Sequence, residues 1–226
     1  MAKTINYYTT YEINSLMSFR IKNKKEIISL ILECCSIILT GYEIKNNGLG
    51  SFELHIDKMS RLFFYCENVK KFFSFSFPFQ VMQNEDSTYS IFATNNKIEL
   101  EPYMISILSC LNEDGWFDEY VEDNDMYLKI EFLEELCVQY GSSYKELGNN
   151  ILSIVSLLHL FEPGYIRCDL EDEDNFDENH PDKHPKNHVD INYSQSSTFK
   201  MGLTKVLSNE MFKTLMDIGT DCYFIN

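Results

Sequence analysis

Apolar positions along the chain fall into two periods. Residues 24–40 are dominated by Ile, Leu and Cys, and Ser29, Glu33, Ser36 and Thr40 recur among them at steps of four, three and four. That spacing predicts a buried helix with one narrow polar stripe, ended by Gly41, which takes a left-handed stop at no steric cost. Strand periodicity follows. Phe52, Leu54 and Ile56 alternate with polar residues, and Leu62 to Cys66 form a short apolar run. Phe73, Phe75, Phe77, Phe79 and Val81 then alternate with Ser74, Ser76, Pro78 and Gln80. Period two across Phe73–Val81 predicts one strand with an aromatic face; Pro78 has no N–H for a ladder, which favours an edge or a bulge. Turn residues at 84–87 and at Asn95-Asn96 flank Tyr89 to Ala93 and precede Ile98 and Leu100, so residues 52–101 read as an antiparallel meander.

Pro102 suits the first turn of a helix running to about Asn112. Helical patterns return at 127–140 and 144–160. The second is apolar nearly all round, which predicts a central helix with His159 as a core histidine and Gly148 allowing close packing. Strands follow at 165–170, 188–193 and 198–203, the last two joined by a hairpin at 194–197, and Ser208 caps a helix through Met216. Blocks of strands and helices, rather than strict alternation, predict an α+β fold with antiparallel sheets and a buried helical layer. A single domain over residues 1–226 is expected, with a helix and meander in 1–101 and an acidic helical and β part in 102–226.

Composition narrows the class. The chain has 226 residues, 44% of them hydrophobic and 14% aromatic, enough for a sizeable core. Its longest apolar stretch, Ile27 to Leu39, contains Glu33 and falls short of the roughly 20 residues that span a bilayer. No secretory pattern is present. Seven scattered cysteines without C-x-x-C spacing argue against a disulfide frame or zinc knuckle and for a reducing cytoplasm. Residues 1–101 hold 11 basic and 11 acidic side chains, whereas residues 102–226 hold 8 and 24, which accounts for the net charge of −16. Such a C-terminal half disfavours broad nucleic-acid binding and suits a basic protein partner, a divalent cation or plain solubility. Residues 113–125 contain seven acidic residues and no basic ones, around Trp116 and Phe117. Candidate partner-binding residues are therefore Trp116, Phe117, Asp118, Glu119, Glu122 and Asp123, with Asp172 and Asp174 from the next acidic run. The alternative is that Trp116 only anchors its loop to the core.

Candidate chemistry gathers in the last third. His180, His184 and His188 recur every four residues, but Pro181 and Pro185 exclude the helix that would align them. A stiff loop entering a strand is expected instead, with His188, Asp190 and Asn192 on one face. Arg167 and Asp169 share a face of the strand before it, so adjacent pairing of the two would bring Arg167, Asp169, His188 and Asp190 together. Three readings stay open. His184, His188 and Asp190 would hold manganese, magnesium or zinc for hydrolysis. Alternatively, His188, Asp190, Arg167 and Asp169 would be catalytic without metal, His188 moving protons and Arg167 stabilising developing negative charge. The third reading is an ion-pair ladder with no chemistry. The acidic run from Asp172 lacks the glycine and alternate ligands of an EF-hand. Serine-nucleophile, Walker and dinucleotide motifs are absent. His55, alternating with apolar strand residues, is expected to face solvent.

The order Arg167-Cys168-Asp169, then His184-Pro185-Lys186-Asn187-His188-Val189-Asp190-Ile191, then Leu207-Ser208 with Phe212, resembles the C-terminal part of a family of uncharacterised bacterial proteins. The resemblance covers about the last quarter of the chain, on short motifs. It implies a setting in bacterial mobile or defence regions, either phage defence or a toxin–antitoxin pair. His180-Pro181 and the long acidic loop depart from the pattern. Together these features lead to an expected cytoplasmic, non-enzymatic interaction protein, an accessory or neutralising subunit that binds a basic partner without cofactor or membrane. The alternative is a His-dependent or metal-assisted nuclease.

Overall fold

The computed structural model describes residues 4–18, 21, 23–41, 45–56, 59–66, 71–93, 97–118, 125–170, 185–194 and 197–221. In chain order the elements are β1 (Thr4–Tyr8), α1 (Tyr11–Ser18), α2 (Lys24–Thr40), β2 (Gly50–His55), β3 (Arg61–Cys66) and β4 (Lys71–Ser76). Next come β5 (Gln80–Gln83), β6 (Tyr89–Ala93), β7 (Ile98–Glu99), α3 (Pro102–Glu113) and α4 (Asp125–Gln139). A π-helical turn (Tyr144–Gly148) leads into α5 (Asn149–Leu160), followed by β8 (Ile166–Leu170), β9 (Asn187–Ser194), β10 (Ser197–Gly202) and α6 (Asn209–Met216). Every strand pairing described is antiparallel, and the fold is α+β. No described helix is long and apolar enough to cross a membrane.

In place of the two successive halves read from the sequence, the chain forms two compact units interleaved along it. One comprises residues 1–22, 43–77 and 162–226; the other comprises 23–42 and 78–161. The first unit holds a sheet in the order β1-β2-β3-β4-β8-β9-β10. One face of that sheet buries Phe63, Tyr65, Phe72, Cys168 and Val189 with Phe212 of α6. The other carries stacked rings, with Phe64 4.8 Å from Phe73 and 5.3 Å from Phe75. Ser208 caps α6 as expected, its Oγ accepting from the Met211 N–H at 3.2 Å.

The second unit holds α2 to α5 and the sheet β5-β6-β7. Asn23 caps α2, Gly41 closes it at φ 60°, and the polar stripe from Ser29 to Thr40 is its less buried edge. The expected strand over Phe73–Val81 is two strands in different sheets. The aromatic alternation persists in burial, but the ladder stops before Pro78, and the Phe77 N–H instead donates to the Ser60 carbonyl at 2.7 Å. The apolar helix α5 is also less central than its sequence implies. It buries Ile151, Ile154, Val155 and Leu158, yet leaves Leu160 80% exposed and His159 on its exposed side. His159 is therefore not a core histidine; its ring lies 5.0 Å from that of Phe117.

Candidate functional site

Two neighbouring strand registers build the cluster. β8 pairs with β9 so that Arg167 faces Asp190 and Asp169 faces His188, while β4 sets Lys71 opposite Asp169 and Phe73 opposite Arg167. Because alternate residues share a face, Lys71, Asp169 and His188 form one row across the sheet and Phe73, Arg167 and Asp190 the next. β10 extends the second row with Lys200 opposite Asp190.

The side chains close this arrangement. Arg167 Nε donates to Asp169 Oδ2 at 2.7 Å, and its Nη2 lies 2.6 Å from the same oxygen and 2.7 Å from Asp190 Oδ2. His188 Nε2 stands 3.4 Å from Asp169 Oδ2, and its Nδ1 donates to the Pro185 carbonyl at 3.0 Å. Both ring nitrogens thus face acceptors, which favours the imidazolium. The Asp169 hydrogen bond raises the His188 pKa, against the opposing effect of burial. For Asp169, burial works to raise the pKa, but the His188 bond and the Arg167 charge outweigh it and hold the carboxyl below its usual range. Lys71, also buried, donates to the Met17 carbonyl at 3.3 Å.

All four residues that the strand alternation brings together, Arg167, Asp169, His188 and Asp190, do converge. Two further members escaped the sequence reading. Lys71 joins only through the non-local pairing of β4 with β8, which no local pattern reveals. Tyr165 was legible in principle, since it lies two residues before Arg167 and so on the same face. It is 4% exposed, and its hydroxyl lies within the reach of the Arg167 guanidinium. Burial pushes its phenol pKa up, with the nearby Arg167 charge opposing.

One atom from each of Asp169, His188 and Asp190 lies within 4.8 Å of the others, a spacing a metal ion would accept. The His188 Nδ1–H···O=C bond is the kind that orients a ligating imidazole. Against that, the guanidinium already sits on both carboxylates, and the Asp169 hydrogen bond favours a proton on His188 where a metal would bind. Two cations and two carboxylates satisfy one another. His184, the other expected metal ligand, lies outside the described residues.

The expected partner-binding residues separate. Trp116 and Phe117 are each 6% exposed, so these rings anchor their loop rather than offer themselves to a partner. Asp118 is exposed and paired with Lys25 at 3.2 Å. Glu119, Glu122, Asp123, Asp172 and Asp174 lie outside the described residues. The second unit does present an acidic surface that the sequence reading passed over. An open groove of about 560 Å3 along α4 is lined by Glu131, Glu134, Glu135, Val138 and Gln139. None of the three glutamates forms an ion pair among the described residues, and Tyr127, Leu128 and Val138 are exposed on the same helix. Helical spacing explains the split: Leu133, Leu136 and Cys137 face inward and the glutamates outward.

No protein-family model, curated protein or solved structure matches this chain.

Proposed function

We propose that the protein is a non-catalytic binding protein that docks a basic protein partner along α4, as an accessory or neutralising subunit. The observation that carries this reading is the α4 groove, where three glutamates and the exposed Val138 stand together with no cation among the described lining residues. The net charge of −16 adds a long-range field that speeds and orients the approach of a basic protein. Enzymes that act on nucleic acid carry basic surfaces for the phosphate backbone, and an acidic subunit neutralises such a surface by covering it. The resemblance of the last quarter to proteins of bacterial defence regions supplies a phage-defence or toxin–antitoxin setting. Free thiols, mostly buried, suit a reducing cytoplasm.

The test co-expresses the chain with basic candidate partners and elutes the complex with salt. Wild type should retain a partner at low ionic strength and release it as salt rises, and E131Q/E134Q/E135Q should weaken retention at least tenfold. Equal retention by the triple variant would overturn the reading.

A second reading is favoured by the convergence of Arg167, Asp169, His188 and Asp190 on one face of the sheet. Here the chain would be a nuclease or other hydrolase, with His188 transferring protons and Arg167 stabilising negative charge, with or without a divalent ion. It ranks second because the ion would have to share both carboxylates with Arg167. Nucleic-acid cleavage with and without manganese, lost in His188→Ala, would raise it to first place; no cleavage by the wild type would remove it.

A further inference from the structure

Arg61, the first residue of β3, is a half-buried guanidinium whose contacts are all neutral. Its Nε donates to Ser74 Oγ at 3.0 Å, its Nη1 to Ser76 Oγ at 3.5 Å and its Nη2 to the Gly164 carbonyl at 2.6 Å. No carboxylate among the described residues forms an ion pair with it. Burial draws its pKa down to about 10, with no acid opposing the shift. The chain has 35 acidic side chains against 19 basic ones, so this is no shortage of carboxylates. Charges taken out of water are ordinarily paired, as Arg167 is with Asp169 and Asp190.

The acid on this side of the sheet is committed elsewhere. Strand register sets Arg61 between His55 of β2 and Ser76 of β4. Glu53, two residues before His55 and so on the same face, lies 3.3 Å from His55 Nε2 and 3.3 Å from Lys213 Nζ. The His55 ring packs edge-on against Phe63. His55 is thus turned into the fold, not toward solvent as its alternation implies.

What remains unspent around Arg61 is donors. A guanidinium has five N–H groups, and one on each nitrogen is engaged, which leaves one on Nη1 and one on Nη2. The half-buried Ser76 hydroxyl accepts from Nη1 and donates to no described residue, so its own proton is left as well. Ser74, fully buried, holds Nε from behind. The space beside these donors is kept open by Gly164, which is exposed and takes φ 51°. A Cβ there would stand 3.5 Å from Arg61 Nη1 and 3.7 Å from Ser76 Oγ, with nothing else described within 4 Å.

Two N–H groups on one planar fork, with a hydroxyl beside them, match the two oxygens of a carboxylate. One missing counter-charge calls for one negative charge, and the net charge of −16 opposes a more highly charged anion. We propose that Arg61, Ser76 and Gly164 form a binding site for a singly charged carboxylate, which accepts from Arg61 Nη1 and Nη2 and from the Ser76 hydroxyl. By alternation Arg61 shares the Phe63 face of the sheet, not the face of the Arg167 cluster. The site does not depend on docking at α4.

The test titrates the full chain with sodium acetate, N-acetylglycine and inorganic phosphate at constant ionic strength, following the Gly164 N–H signal by NMR. At least one carboxylate should shift that signal saturably at roughly millimolar concentration, the affinity expected of one bidentate contact. Arg61→Lys keeps the charge but not the fork and should weaken binding about tenfold. Ser76→Ala should weaken it about fivefold with unchanged thermal unfolding. If Arg61→Lys does not fold, Ser76→Ala carries the test, since it removes one long hydrogen bond at a half-buried position. Tighter binding of N-acetylglycine than of acetate assigns the carboxylate to a peptide C-terminus; the reverse assigns it to a small free acid. No saturable shift, tighter binding of phosphate than of either carboxylate, or equal affinity in Ser76→Ala and wild type overturns the proposal.

Discussion

Folding favours the charged form of His188 because each ring nitrogen meets an acceptor, the Pro185 carbonyl on one side and Asp169 on the other. That arrangement links stability to pH with a definite sign. A group whose pKa is raised by folding stabilises fully below its unfolded value, about 6.5 for histidine, and its contribution is lost as pH rises through the folded value. Asp169 has the opposite sign: its lowered pKa contributes above about pH 3.9 and is lost as pH falls through the folded value. His188→Asn should therefore cost about 1–3 kcal/mol at pH 6 and less at pH 9, because rising pH removes the wild-type imidazolium. Urea unfolding at the two pH values measures the difference, and an equal cost at both would mean that the imidazolium plays no part. At this scale the sequence was informative: alternation placed Arg167 with Asp169 and His188 with Asp190. It was silent on Lys71, which reaches the cluster through a partner strand far away in the chain.

Elements whose ends are set by neighbouring residues were legible, and those defined by distant pairing were not. Asn23 and Gly41 delimit α2, and Ser208 starts α6, through bonds made within a few residues. The break at Pro78 was hidden because aromatic alternation runs straight through it while the hydrogen-bond partners change. β1 and α1 were missed altogether, being short and weakly patterned. Gly148 belongs to the legible class, and its role can be tested. A Cβ built there would lie 2.4 Å from the Tyr144 ring, at the π-helical turn that Ser143 and Glu146 cap. Intrinsic propensity alone predicts that Gly148→Ala stabilises by about 1 kcal/mol. The contact predicts a loss of about 1–3 kcal/mol instead, because the ring has to move. Thermal unfolding should show the loss, and combining it with Tyr144→Ala should restore the stabilising sign. A single Gly148→Ala variant more stable than wild type would refute the contact.

For the molecule as a whole, the decisive fact is that β4 and β8 are hydrogen-bonded neighbours although residues 78–161 of the other unit lie between them in the chain. Hydrophobic period assigns a residue to a face of a strand but says nothing of which strand lies beside it, so the halves read from composition did not match the compact units. The charge asymmetry is a property of sequence halves as well, and each unit draws on both. The same topology makes the C-terminal strands dependent on earlier chain. β8 needs β4 along one edge, and Cys168, Val189 and Phe212 need Phe63, Tyr65 and Phe72 to complete their core. Of the described elements, a fragment of residues 162–226 therefore retains β8, β9, β10 and α6, with a strand edge and an apolar face uncovered. Small sheets of that kind are marginal without a second layer, and long-range pairing of this sort forms late in folding. The isolated fragment should show neither a cooperative thermal transition nor sheet-like circular dichroism, whereas the full chain shows both. A cooperatively folding fragment would contradict the dependence of β8 on β4, and with it the strand order that brings Lys71 into the Arg167 cluster.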